Sequence, residues 1–452
     1  MALKQMDALA ALREAAGEVI EASLCEIQGS WLALVRTQDG KRLAFAAKGE
    51  NALSALWKDV EKEADVKDVH VSVMALNANN AALVRRYVKW TAPTACGTKG
   101  ASIGFSDWLG EADAVVAELF GKRQLKPVLV DFTTEDSEAL QRYFVQAVDT
   151  ATWGVLEEGY KEGYGANAAG LKTEEEIVKA LLYGYSMIGF DCSDKIDLGI
   201  EKLSDEAVDK RFEQFNETFR VAVHASYLNA EFKVGSSKIT FTENQLHRIV
   251  LEYGEAIMHI QFIYNSYLKN TPWDIDFELD LSKPGKVLTP QEHYLIGNEL
   301  QRNGIKLSSI CLDPLKDAEA VNDNLQLHCE IADTFGYRLS FKNADIAMND
   351  TAAAMKYLKG KVHFKMNNIL WMSAIELAKA LDAELFGKLC AACGCEAAAD
   401  AADRALVLGY RKALNPKEEG NVAADMKAFL EAHHAEYTAA IKENVAAKLK
   451  NI

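Results

Sequence analysis

Short apolar runs alternate with longer amphipathic stretches from Lys126 to Cys393, and this alternation limits the fold more than any other feature. "KPVLVDF", "SMIGFDCS", "DIDFELDL", "KLSSICL", "YRLSFKN" and "KVHFKM" have the length and composition of buried strands. Between them lie helix-length segments such as "ENQLHRIVLEYGEAIMHIQFIY", "PQEHYLIGNELQRNG" and "AEAVNDNLQLHCEIADTFG", with apolar residues three and four apart. Strand–helix units repeated this often predict an α/β protein, a TIM-like (β/α)8 barrel. A doubly wound open sheet is the alternative, but no Gly-x-Gly-x-x-Gly follows a strand.

The flanks read differently. Residues 1–99 are expected to form an N-terminal α/β appendage. It would comprise a helix over "MDALAALREAAGEVIEASL", a hairpin turning at Asp39-Gly40, a helix over "NALSALWKDVEKEA" and a strand "DVHVSVMAL". The barrel would occupy 100–395, and 396–452 would be a helical C-terminal extension with a solvated break at "NPKEEGN". Within the barrel, "GYGANAAGLK" reads as a glycine-rich corner between two helices.

The chain carries 50 Lys and Arg against 66 Asp and Glu, a net charge of −16. Such a field repels nucleic acid and anionic membrane, so an acidic ligand would need a local cationic pocket. No run of about 18 apolar residues is present to span a bilayer. The opening residues are acidic and helically periodic, unlike a secretory signal. Eight cysteines suit reduced thiols in the cytoplasm. Cys390, Cys393 and Cys395 in "CAACGC" have a C-x2-C spacing, but with no second pair they read as core thiols.

In a barrel, chemistry sits at the carboxyl ends of the strands. The residues there are Asp131, Asp191, Asp194, Glu278, Asp280, Asp313, Lys342, Asn343, His363 and Lys365. His363 and Lys365 are two apart and share one strand face. His259 and His328 sit among apolar residues at helical spacing and read as buried, hydrogen-bonded core histidines, and His293 reads as part of an ordinary helix start.

The stretch "DTATWGVLEEGYKEGYGANAAGLKTEEEI…GYSMIGFDCSDKID", followed by "LSDEAVDKRFEQF", "GEAIMHIQFIY", "HCEIADTFGYRLSF" and "KVHFKMNN", resembles the tagaturonate/fructuronate epimerase family. The likeness runs over roughly residues 100 to 390 and implies a TIM-barrel-like fold. It also implies a metal-dependent sugar-acid epimerase. The two hexuronates differ at a carbinol carbon whose proton is too weakly acidic for simple enolisation. Retro-aldol cleavage or transient oxidation is therefore required, with a divalent metal, an acid–base pair and cations for the carboxylate.

On that resemblance Glu278 and Lys365 are the catalytic candidates, Asp191 and Asp194 the metal ligands, and His363, Lys172 and Asp107 the substrate contacts. The chain departs from the family pattern at several of its reactive positions. An Asp-Ala-Asp-His run in the family is matched by Asn167, Ala168, Ala169 and Gly170. A histidine after the next strand is matched by Lys195, a His-Ser pair by Phe341 and Lys342, and an arginine by Trp108. Two functions follow: a metal-dependent hexuronate or ketose epimerase, or a catalytically silent relative that binds, regulates or assembles. A sugar acid or related anion is the expected partner in either, and a homo-oligomer is compatible with both.

Overall fold

The computed structural model describes every residue except 1, 50, 122, 124, 282–287, 316–317, 349–350, 397–398 and 451. Eight parallel strands close a barrel: β6 (Ser102–Gly104), β7 (Lys126–Thr133), β8 (Gly165–Leu171), β9 (Met187–Asp191), β12 (Asp276–Asp280), β13 (Ser309–Leu312), β14 (Arg338–Phe341) and β15 (Val362–Lys365). They follow one another around the ring in chain order, and β15 pairs back onto β6. This is the (β/α)8 barrel expected from the sequence.

Six strands fall where apolar runs predict them; two do not. β6 is only three residues long. β8 is "GANAAGL", so Asn167 to Gly170 lie within a barrel strand and not in a corner between helices. Small residues suit this strand because β9 comes very close. A Cβ on Gly189 would sit 3.0 Å from Ala169 Cα and 3.2 Å from Asn167 Oδ1. Packing, not β-propensity, makes this segment a strand.

By contacts the chain forms two compact units: Met1–Thr94, Phe105–Ala166 and Ile369–Ala447, and Ala95–Gly104, Asn167–Asn368 and Lys448–Ile452. In the first unit, β1 (Glu18–Ile27), β2 (Ser30–Thr37), β3 (Gly40–Ala47), β4 (Val60–Val66) and β5 (Val69–Met74) make an antiparallel sheet of order β1-β2-β3-β5-β4. Leu12 and Ala8 of the helix Gln5–Ala16 cover one face, against Val35, Ala44 and Val71. Phe45, Trp57, Val84 and Trp153 fill the other. Burial on both faces explains why β2, β3 and β5 are almost continuously apolar.

Two helical expectations fail here. The first helix stops at Ala16 because Gly17 takes φ +103, and β-branched Val19 and Ile20 then enter β1. "NALSALWKDVEKEA" makes one 3₁₀ turn, Ser54–Leu56, and then edge strand β4, whose charged side chains point mostly to water. Pairing with β5 overrides helix propensity. Also in this unit, Gly154 of the helix Phe144–Glu158 lets the helix Asp113–Phe120 approach closely. A Cβ there would lie 2.7 Å from both Ala114 N and Asp113 Cβ. Backbone cannot yield as a side chain can, so Gly154→Ala should cost about 1–3 kcal/mol despite the better helix former, read as a lower Tm.

In the second unit the β9-to-β12 crossover carries the helices Asp205–Phe212, Glu217–Tyr227 and Glu243–Ile263 and a small hairpin, β10 (Phe232–Val234) with β11 (Ser237–Ile239). Among the described residues, no helix is long and apolar enough to cross a membrane.

Candidate functional site at the strand tips

Strand register decides what faces the barrel axis. Glu278 pairs with Ser309 and Gly189, Ser309 with Arg338, and Ser340 with Cys311 and His363. His363 in turn pairs with Ser102, and Asp280 with Cys311 and Asp191. With two-residue alternation, these residues form stacked polar layers inside the barrel.

Glu278 is 1% exposed. One carboxylate oxygen accepts from Lys365 Nζ, and the other accepts from Ser309 Oγ at 2.9 Å. Burial alone would raise its pKa, but the Lys365 ammonium and then His363 outweigh burial and hold it below the ordinary carboxylate value. Two residues on, Asp280 is paired with Lys342, whose pKa is raised: burial works against its charge, and the Asp280 carboxylate prevails.

His363 is fully buried, with Nδ1 2.9 Å from Ser102 Oγ, and Arg338 Nη1 donates to the same hydroxyl at 2.8 Å. Burial pushes the His363 pKa down to about 3, with Lys365 and Arg338 adding to the effect against Glu278. It is a neutral imidazole at physiological pH. Sequence reasoning did not pick out Arg338; its place two residues before Ser340 and four before Lys342 was the available signal.

Asp191 and Asp194 lie beside the site at the end of β9. Lys172 Nζ is 3.1 Å from Asp194 and 3.7 Å from Asp191. Asp191 also accepts from Ser193 N at 2.8 Å, and Asp194 is largely exposed. Lys172 immediately precedes Thr173, the N-cap of the helix Glu174–Leu182. The structure thus gathers Glu278, Lys365 and His363 into one network, and Lys172, Asp191 and Asp194 into another.

A divalent ion here would need two or more anionic or imidazole donors turned toward one point. Instead Glu278 faces Lys365, Asp280 faces Lys342, and Asp191 with Asp194 faces Lys172. An entering dication would meet an ammonium at each of these four carboxylates, so this donor set does not fit the metal that the resemblance implies.

The remaining candidates have contacts of their own. Asp107 is buried and accepts from the backbone of Gly110, Glu111 and Ala112 at 2.7–3.1 Å, which fixes the turn before the helix Asp113–Phe120. Trp108 lies flat on Tyr410 with ring centroids 3.4 Å apart. His259 is half-buried against Phe190, more open than a core histidine. His328 is buried as expected, with Nδ1 2.9 Å from His293 Nδ1, and His293 Nε2 is 2.8 Å from Tyr337 Oη. All eight cysteines are free; Cys390, Cys393 and Cys395 have raised pKa values, caused first by burial and, for Cys393, reaching about 12. Such thiols are not activated for redox or metal chemistry.

Residues 20–438 match the family model for UxaE, tagaturonate epimerase. The tagaturonate/fructuronate epimerase of Thermotoga maritima is 27% identical over 383 residues, 82% of this chain and 78% of that protein. Crystal structures of the fructuronate-tagaturonate epimerase UxaE from Cohnella laeviribosi, native and with two glycerols, superpose with TM-scores of 0.87 and 0.88. Each is 25% identical and covers 99% of both chains. With a family model spanning nearly the whole sequence, and strand order and barrel closure as described, this chain belongs to the tagaturonate epimerase family.

Proposed function

We propose that this chain is a family member that no longer epimerises hexuronates and acts instead by binding a small hydroxy-acid anion. The observation that carries the reading is the pairing of four strand-tip carboxylates with lysines: Glu278 with Lys365, Asp280 with Lys342, Asp191 and Asp194 with Lys172. A lysine within salt-bridge reach supplies positive charge but no Lewis acid, so it stabilises an anion without polarising a carbonyl as a metal does. His363, with its pKa near 3, is too weak a base to take a hydroxyl proton at neutral pH. Arg338 adds a second buried cation beside Lys365.

The second reading is retained epimerisation. Glu278 favours it, as an ionised carboxylate at a position that matches the family. Purified protein supplied in turn with Mn²⁺, Ni²⁺ and Zn²⁺, and incubated with tagaturonate under NMR, separates the two. The expected rate is at least about 10⁴-fold below that of an active relative, roughly 10² for a lost base and 10² for lost electrostatic stabilisation. Fructuronate formation that scales with protein concentration and disappears in Glu278→Gln establishes the epimerase instead.

A further inference from the structure

Away from the strand tips, three helices of the β9-to-β12 crossover converge on a pair of histidines. His224 Nε2 of the helix Glu217–Tyr227 lies 2.8 Å from His247 Nε2 of the helix Glu243–Ile263. Glu243, four residues before His247, is on the same helix face. The donor atoms of His224, Glu243 and His247 all lie within 4.8 Å of one another, and among the described residues this is the grouping of three such donors that could hold an ion. We propose that these three side chains bind one zinc-class divalent transition-metal ion, which staples the crossover helices together.

The surroundings are those of a metal-binding imidazole. His247 is buried and its Nδ1 is 2.7 Å from Asp209 Oδ1, on the helix Asp205–Phe212. The carboxylate accepts the Nδ1 proton, leaving the Nε2 lone pair aimed at His224. This carboxylate–imidazole arrangement orients ligands in zinc sites and raises their basicity. Asn244 Nδ2 donates to Asp209 at 3.2 Å and holds the carboxylate in place. Phe212 fixes the ring plane, stacked on His247 with centroids 3.8 Å apart and planes 13° apart.

Geometry and charge agree. Zn–N bonds of about 2.0–2.1 Å at a tetrahedral angle separate two nitrogens by about 3.3 Å, so the imidazoles need part by only about half an ångström. Glu243 and Asp209 together carry the two negative charges that a dication neutralises. Three protein ligands leave the fourth position to water, and Glu243 is exposed, so an ion can enter without unfolding the helices.

The test uses the full chain without a tag, stripped by chelator and dialysed against zinc, with bound metal counted by mass spectrometry. One zinc per chain is expected that His224→Ala does not bind, with affinity falling at least about 100-fold. Asp209→Ala is expected to weaken it about 10- to 100-fold by releasing the His247 ring. Glu243→Ala, at an exposed helix start, keeps the fold intact and provides a variant whose zinc loss reports the ligand alone. Cobalt in place of zinc should give a tetrahedral visible spectrum in the wild type that His224→Ala lacks. Equal zinc uptake and cobalt spectra in wild type, His224→Ala and Glu243→Ala, or no uptake by the wild type at about 10 μM free zinc, overturns the proposal.

Discussion

Lys365→Met should destabilise the protein by about 3–5 kcal/mol, because it leaves the Glu278 carboxylate buried without its counter-charge. Lys365 and Glu278 are 3% and 1% exposed, so water cannot replace the lost partner. Ser309 still donates to Glu278, but one neutral hydroxyl offsets only part of the desolvation. Glu278→Gln should cost less, because an amide is neutral, yet it strands the ammonium. Combining Lys365→Met with Glu278→Gln removes both charges, and the double variant should recover about 2–3 kcal/mol of the summed single losses. Urea titration of all four proteins gives the coupling. Additive losses would mean that Lys365 does not hold Glu278, and would leave that carboxylate available to a cation. The proposed loss of metal-dependent turnover would then lose its main support.

How much of this was legible in the sequence depends on the distance over which the controlling contact acts. Glu278, His363 and Lys365 could be placed at the strand tips because two-residue alternation is local and survives in "DFELD" and "VHFK". Their pairing across 87 positions is not local, and the range of roles open to Glu278 narrows to an ion pair with Lys365 only once β12 and β15 are in register around the ring. Lys172 illustrates the same limit: its helix-start position is written in "KTEEEI", whereas its contact with Asp194 depends on β8 lying beside β9. β8 itself was hidden because Gly-Ala-Asn-Ala-Ala-Gly carries no strand propensity and is made a strand by close packing against Gly189. At the other end of the chain, β4 was hidden by the opposite cause. Its charged composition suits a solvated helix equally well, and hydrogen bonding to β5 decides the outcome.

Acid should reveal the cost of three histidines buried in the neutral state. His293 is held well below the ordinary imidazole pKa by burial and then by His328; His328 is lowered to about 4 and His363 to about 3, burial being the first cause in each. In the unfolded chain each titrates near 6.5. Between that value and the folded ones, the unfolded chain binds more protons, so these histidines contribute stability that is complete above pH 6.5 and is lost as pH falls. With two to three protons taken up, their share of the slope is about 3–4 kcal/mol per pH unit. Buried carboxylates oppose it. Glu111 is raised to about 7 and Asp113 well above its ordinary value, each first by burial, so they favour the folded state at low pH. The histidine share is therefore read as a difference between proteins. His363→Gln and His328→Gln, compared with wild type by urea midpoint from pH 7 to 5, should each flatten the pH dependence by about 1 kcal/mol per unit averaged over that range, whatever their stability at pH 7. Parallel profiles for wild type and both variants would mean that these imidazoles titrate alike in the folded and unfolded chains. His363 would then be protonated near neutral pH, and the case against it as an acid–base group would fall with the buried-neutral assignment.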